Sequence, residues 1–201
     1  MTDITLTPLG VMVLALLREG DMHPYEMARL LRARRDDRMI AITNGTLYHT
    51  VARLNGQGLL EEVGVDRDGN RPERTTYTLT PAGYEAVPAW VRAELGRTDH
   101  PARFRVALAE AHNLGRDETV ELLSARRALL QQELDDHDAG VARAIDRGVP
   151  EQYVIEVGRQ QALLRAELAW LDDLLPRLSS PAFAWGNDPE HDLAKRKAHH
   201  D

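Results

Sequence analysis

Apolar residues recur along this chain in blocks of helical spacing, interrupted once by an extended pattern. Thr7-Pro8 opens a helix on which Leu9, Val13, Leu16 and Leu17 form an apolar face before Gly20. Pro24 opens a second, with either Tyr25, Ala28 and Leu31 or Met27, Leu30 and Leu31 as its buried stripe, and the charged stretch from Arg34 to Arg38 reads as a loop. Thr43 can cap a third helix whose Leu47, Val51 and Leu54 fall at i, i+4 and i+7, and which Gly56 and Gly58 stop. An extended run from Leu59 to Val65 follows, turned by Asp68-Gly69-Asn70 into a second run from Arg74 to Leu79. Thr80-Pro81 begins a fourth helix, carrying Tyr84, Val87, Trp90, Val91 and Leu95, with Pro88 inside as an expected kink. Three helices followed by a hairpin and another helix predict a winged helix-turn-helix over residues 1–97.

The second half reads differently. Thr98-Asp99-His100-Pro101 gathers turn formers and marks the boundary. A short helix is expected over residues 102–112, then a long one over 117–147 with Val120, Leu123, Leu130, Leu134, His137, Val141 and Ala144 near a three-four spacing. Gly148-Val149-Pro150 turns the chain into another long helix, where Val154, Val157, Gln161, Leu164, Leu168, Leu171, Leu175 and Leu178 keep the spacing over more than three heptads. Two such helices fold back on each other as an antiparallel, coiled-coil-like pair. At ~1.5 Å per residue each reaches roughly 40 Å, more than a winged domain needs for its own core. Residues 98–178 are therefore expected to form a dimerisation arm, with Val157, Leu164, Leu168, Leu171 and Leu175 as its seam, and the chain to be a homodimer. Leu163, Trp170 and Leu174 lie beside that seam. From Ser179 the periodicity ends, and residues 179–201 are expected to be a flexible tail.

Charge changes the picture only once it is divided. The net charge of -7 looks unsuited to a nucleic-acid partner. Residues 1–97, however, hold 12 arginines against 13 acidic residues, whereas 98–201 hold 13 basic against 19, so the acidity belongs to the arm. Arg29, Arg32, Arg34, Arg35 and Arg38 cluster after the second helix, and Arg67, Arg71 and Arg74 around the hairpin turn. Local charge decides contact with phosphates. The face of the third helix away from its apolar stripe carries Thr46, His49, Thr50 and Arg53, with Asn44 and Gly45 at its start. Asn44, Thr46, His49 and Thr50 are short enough to reach base edges, while Arg53 and the three hairpin arginines suit phosphates, or a minor groove for one of them. Tyr48 can pack beside Ala52 and extend its hydroxyl to a phosphate. Tyr25 and Thr43 complete the expected DNA-contacting set.

Gly45-Thr46-Leu47-Tyr48, Arg53-Leu54, Gly58-Leu59-Leu60 and Tyr77-Thr78-Leu79-Thr80-Pro81-Ala82-Gly83 together resemble the PadR family of bacterial transcriptional regulators. Two positions depart from the family pattern: His49 stands where members usually have proline, and Pro24 where they usually have glycine. The resemblance implies a double-stranded operator as partner, and repression rather than activation. It also implies that a small aromatic effector could bind near the dimer interface; Trp90, Phe104 and Trp170 are the residues that would form such a pocket, although core or interface packing accounts for them equally well.

Other chemistries lack their parts. The chain has no cysteine, so disulfides and thiolate sites are excluded. Asp135-Asp136-His137-Asp138 points in several directions on a helix and reads as a solvated face, not a metal site. No Gly-rich phosphate loop or Gly-x-Ser-x-Gly elbow occurs, so no enzyme and no cofactor are expected. The run from Leu9 to Leu17 is too short to span a bilayer and has no basic leader, which predicts a cytoplasmic protein without a membrane partner. The reading is a mainly α-helical, homodimeric regulator that binds a palindromic operator. The rival from another class is a winged-helix adaptor that binds protein instead of DNA.

Overall fold

The computed structural model describes residues 6–66 and 74–186. Helix α1 (Pro8–Leu17) starts at Thr7, whose Oγ1 accepts from the Gly10 N–H at 3.2 Å. Its expected single apolar face is too narrow a description. Val11, Met12 and Leu14 are buried along with Leu9, Val13, Leu16 and Leu17, because the helix is apolar all round and is surrounded by its neighbours. Helices α2 (Pro24–Ala33) and α3 (Asn44–Gly56) pack on each other, and α3 also packs on α1. On α2 the buried residues are Pro24, Met27, Ala28 and Leu31, and Tyr25 is turned outward. The intervening segment contains a 3-10 turn, Asp36–Arg38, introduced by Arg35 in the left-handed region at φ 62°.

Strands β1 (Leu60–Asp66) and β2 (Arg74–Leu79) pair antiparallel, Leu60 opposite Leu79 and Asp66 opposite Arg74. A bulge between Glu62 and Gly64 shifts the register, and Val63 is exposed. Met22, just before α2, exchanges two backbone hydrogen bonds with Tyr77, both 3.1 Å, so the hairpin is tied to the helices on its inner edge. Helix α4 (Pro81–Leu95) is capped by Thr80, whose Oγ1 donates to the Gly58 carbonyl at 2.7 Å. Gly83 is required there: a Cβ would lie 2.0 Å from the Leu59 carbonyl oxygen. Pro88 leaves α4 a single helix.

Helices α5 (Pro101–Ala109), α6 (Arg116–Asp146) and α7 (Ile155–Leu178) complete the chain, with α6 and α7 packed along each other. One buried cluster runs from Leu6 to Leu178, so the expected boundary near residue 98 is a change of element without a break in the core. The side chain of Arg126 on α6 sits at the centre of the junction. Its guanidinium lies 3.6 Å from the Phe104 ring centroid, donates to Glu167 of α7 from Nε at 2.8 Å, and donates from Nη1 to the Arg97 carbonyl beyond the end of α4.

The seam expected to hold two subunits together is occupied within the single chain. Leu164, Leu168 and Leu171 are buried, and Val157 and Leu175 half-buried, on the α7 stripe with the heptad spacing, while Leu123, Leu130 and Leu134 are the buried leucines of α6. Heptad spacing requires a neighbouring helix, and α6 supplies it. Of the expected tail, residues 187–201 lie outside the described residues. Residues 179–186 lie against the start of α6: Arg116 donates to the carbonyls of Ser180 (3.2 Å) and Phe183 (2.6 Å), and Trp185 Nε1 donates to the Leu114 carbonyl at 2.9 Å.

Ion pairs join α4 to α6, Arg92 with Glu118, and α6 to α7, Arg127 with Asp172. Hydrogen bonding to these guanidinium groups holds the Glu118 and Asp172 carboxyls below their ordinary range, and Arg97 lowers Asp99 from 3.8 to about 2. A carboxyl with a depressed pKa in the folded state contributes stability above its unfolded pKa and loses that contribution as pH falls through its folded one. The melting temperatures of wild type and Asp172→Asn should therefore differ by a constant amount from pH 7 to about 5 and converge below about pH 4. A gap that persists unchanged in acid would show that the charge of Asp172 contributes nothing.

Candidate nucleic-acid interface

The outward face of α3 is built from its first turn. Thr43 Oγ1 accepts from the Thr46 N–H at 3.1 Å, and Thr46 Oγ1 accepts from the Thr43 N–H at 3.0 Å, a reciprocal cap that fixes where the helix begins. The Thr46 hydroxyl also lies 3.0 Å from the Thr43 carbonyl, to which it donates. Thr43 and Thr46 are both exposed, yet their hydroxyls are committed to each other and to the backbone.

Two residues expected on this face are placed elsewhere. Thr50 is buried, at 6% exposure, and its Oγ1 donates to the Thr46 carbonyl at 2.8 Å. It stands four residues before Leu54 and three after Leu47, which puts it on the flank of the apolar stripe. Arg53 is half-buried and its Nη2 donates to Thr7 Oγ1 at 2.9 Å, so it fastens α3 to the cap of α1.

Asn44, Tyr48 and His49 remain exposed. Asn44 Oδ1 accepts from Arg32 Nη2 of α2 at 2.6 Å. The Tyr48 ring meets His23 edge to face, centroids 6.3 Å apart at 73°, and His23 Nδ1 in turn accepts from the Tyr25 N–H at 3.0 Å. His23 thus caps α2 and abuts α3, which brings exposed Tyr25 and Tyr48 to the same border of the two helices. Arg29, Arg32, Arg35 and Arg38 are exposed along α2 and the turn after it, while Arg34 forms a two-pronged pair with Glu19 at 2.6 and 2.7 Å. Arg32 is the residue whose role the linear pattern concealed. It is visible there only as one of a cluster, and its contact with Asn44 joins two helices. On the hairpin, Arg74 opens β2, and Arg67 and Arg71 lie outside the described residues.

The three aromatic residues expected around an effector are divided. Trp90 and Phe104 belong to the buried junction of α4, α5 and α6, Trp90 with Arg103 5.5 Å from its ring centroid, whereas Trp170 is on the exposed side of α7. Among the described residues no group of acidic or imidazole side chains is arranged to hold a metal ion, and no helix is long and apolar enough to cross a membrane. Asp138 is instead engaged by Gln161 at 2.6 Å and Arg165 at 2.7 Å, both of α7.

A helix of this kind, backed by two others and followed by a hairpin, defines a winged helix-turn-helix protein. Residues 13–89 match the transcriptional regulator PadR-like family. Over those residues the chain carries the domain of that family of transcriptional regulators, a winged helix-turn-helix of the DNA-binding type. Among solved structures it is similar to Bacillus subtilis PadR in complex with operator DNA, at 16% identity over 88% of this chain and 100% of that one, with a TM-score of 0.42. The same Bacillus subtilis protein in complex with p-coumaric acid matches at 15% identity over 87% and 100%, TM-score 0.36. A transcriptional regulator from Clostridium thermocellum matches at 31% identity over 40% of this chain and 74% of that one, TM-score 0.34. Among curated proteins none matches.

Proposed function

We propose that this regulator is a cytoplasmic, homodimeric repressor that binds a palindromic operator with α3 in the major groove. The observation that carries the reading is the face of α3 itself: Asn44, Tyr48 and His49 are exposed together, on a helix fixed by its reciprocal cap and bordered by the arginines of α2. Polar side chains on a preset helix suit base edges, and flanking cations suit phosphates. The wing arginines Arg67, Arg71 and Arg74 are assigned to the DNA backbone on their charge and place in the sequence. Selection of duplexes from a random pool, followed by affinity measurement over a salt series, tests the assignment. Binding should weaken steeply as salt rises, log K falling by roughly 0.9 per phosphate contact for each tenfold increase in salt. A protein adaptor would enrich no duplex.

His49 is an exposed side chain of α3 that makes no hydrogen bond, ion pair or ring contact among the described residues, and it is assigned to a base edge. His49→Ala should lower affinity for the selected site by about ten-fold, within the ~1–3 kcal/mol of a good base contact, and leave binding to random DNA unchanged. Equal losses on both DNAs would reassign His49 to the backbone.

Dimerisation is assigned to α7, on the flank next to the filled seam. Leu163 and Trp170 are 48% and 38% exposed, and each precedes a buried leucine by one residue, which rotates it by about 100° from the seam. Ile155 is exposed eight residues before Leu163. Two copies of such a stripe, related by a two-fold axis, cover each other. Repression then follows from occupancy of a promoter site by the dimer. An effector-responsive step is supported by three buried polar atoms at the α4–α5 junction without a hydrogen-bond partner among the described residues, Trp90 Nε1, Glu94 Oε2 and Arg103 Nε. A small aromatic ligand bearing both donor and acceptor would complete them, and quenching of tryptophan emission in a Trp170→Phe background would report its binding.

A further inference from the structure

Arg32 and Asn44 come from different helices and meet at the edge of the surface assigned above to DNA. Both are exposed, and Nη2 of Arg32 is 2.6 Å from Oδ1 of Asn44. The orientation of the amide follows from chemistry: a guanidinium has five N–H donors and no acceptor, so only the carbonyl oxygen of Asn44 can face it. The Asn44 NH₂ group is left to point away from Arg32. The neighbouring Thr43 and Thr46 hydroxyls are engaged with each other and with the backbone, so they add no free acceptor to this corner.

An unconstrained asparagine reads adenine with two bonds at once, accepting from N6 and donating to N7. Here the accepting half is held by a cation whose remaining N–H groups would stand against the amino group of adenine or cytosine, donor against donor. Guanine offers two adjacent acceptors in the major groove, O6 and N7, and thymine offers O4.

We propose that Arg32 is a positioning residue for specificity: by holding Oδ1 of Asn44 it makes the first turn of the recognition helix a donor-only reader, which selects guanine or thymine and rejects adenine. The proposal rests on the DNA-binding reading of α3 and deepens it by naming the class of base edge recognised. Arg32 acts through Asn44, and a contact of Arg32 with a phosphate predicts something different. A phosphate contact adds affinity for every sequence alike.

The test is selection from a random duplex pool with wild type, Arg32→Ala, Arg32→Lys and the double variant Arg32→Ala/Asn44→Ala, each checked for an unchanged melting curve. Wild type should enrich guanine or thymine at one position in each half-site. Arg32→Ala frees Oδ1, so the preference at that position should move toward adenine by about ten-fold. Arg32→Lys keeps a donor beside Oδ1 and should retain the wild-type preference. In the double variant the position should lose its preference, because the reader itself is gone. An Arg32→Ala protein that enriches the wild-type sequence with lower affinity and a shallower salt slope would overturn the proposal and leave Arg32 as a phosphate contact. If wild type enriches no sequence, the DNA-binding reading fails, and this inference fails with it.

Discussion

Replacing Arg126 with alanine should destabilise the helical half of the molecule by about 3 kcal/mol or more, one of the largest effects of any single substitution outside the apolar core. Arg126 is 2% exposed, and its guanidinium is satisfied on every side: Glu167 on α7, the Arg97 carbonyl after α4, and the face of Phe104 on α5. Removing it leaves the Arg97 carbonyl without this donor, a gap beside Phe104, and Glu167 facing the gap as an uncompensated charge. Breaking a buried pair from one side costs roughly 3–5 kcal/mol. Glu167 is 31% exposed at its side chain and can rehydrate, so the lower end of that range applies. Against a total stability of about 5–15 kcal/mol the loss is a large fraction.

The companion variant separates charge from packing. Arg126→Met with Glu167→Leu removes both ions and fills most of the space, and should lose much less than Arg126→Ala alone. Urea unfolding of the three proteins measures both. If the double variant is as unstable as Arg126→Ala, the ion pair is not the source of the loss, and the Arg97 carbonyl and the Phe104 packing account for it.

The winged architecture was legible because its signals are local. Thr43 before an apolar i, i+4, i+7 stripe specifies a helix start whatever surrounds it, and the structure shows that cap with Thr46 as its partner. The extended runs and their turn likewise announce the hairpin that β1 and β2 form. Features that depend on a distant partner were not legible. The seam of α7 shows that a helix must lie alongside, but the pattern is the same whether that helix belongs to this chain or to another copy. Phe183 and Trp185 are isolated aromatics in a segment without periodicity, and their docking depends on Arg116 and the Leu114 carbonyl about 70 positions earlier. Thr50 shows a subtler limit. Its polarity suggested the outer face, while its angle on the helix places it inward, where its hydroxyl is satisfied by the backbone four residues earlier. The contact of Arg53 with Thr7 was likewise not legible, since Thr7 precedes it by 46 positions. Arginines in a cluster carry equal weight in a sequence; in the fold Arg34 is bound to Glu19, while Arg32 meets Asn44 of α3.

The separation of two α7 surfaces leads to the other large effect. Leu163→Glu with Trp170→Glu should convert the protein to a monomer that keeps its helix content, and should lower operator affinity at least about 100-fold, toward the level of non-specific binding. Both residues are exposed in the single chain, so glutamates there meet water in the monomer and are buried only at the proposed two-fold interface. A single winged helix contacts one half-site, and the dimer adds the second at a fixed spacing along the duplex. Leu168→Asn with Leu171→Asn should behave differently, because these leucines fill the space between α6 and α7 at 5% and 0% exposure. Losing their burial costs roughly 1.5–3 kcal/mol each, and the buried amides add a penalty, so the arm should unfold instead of dissociating intact. Light scattering gives the mass in solution, and far-ultraviolet circular dichroism gives the helix content of each variant. A Leu163→Glu/Trp170→Glu protein that stays a dimer with full operator affinity would exclude this flank of α7 as the subunit interface, leaving α6, where Leu129 is exposed, as the surface to examine.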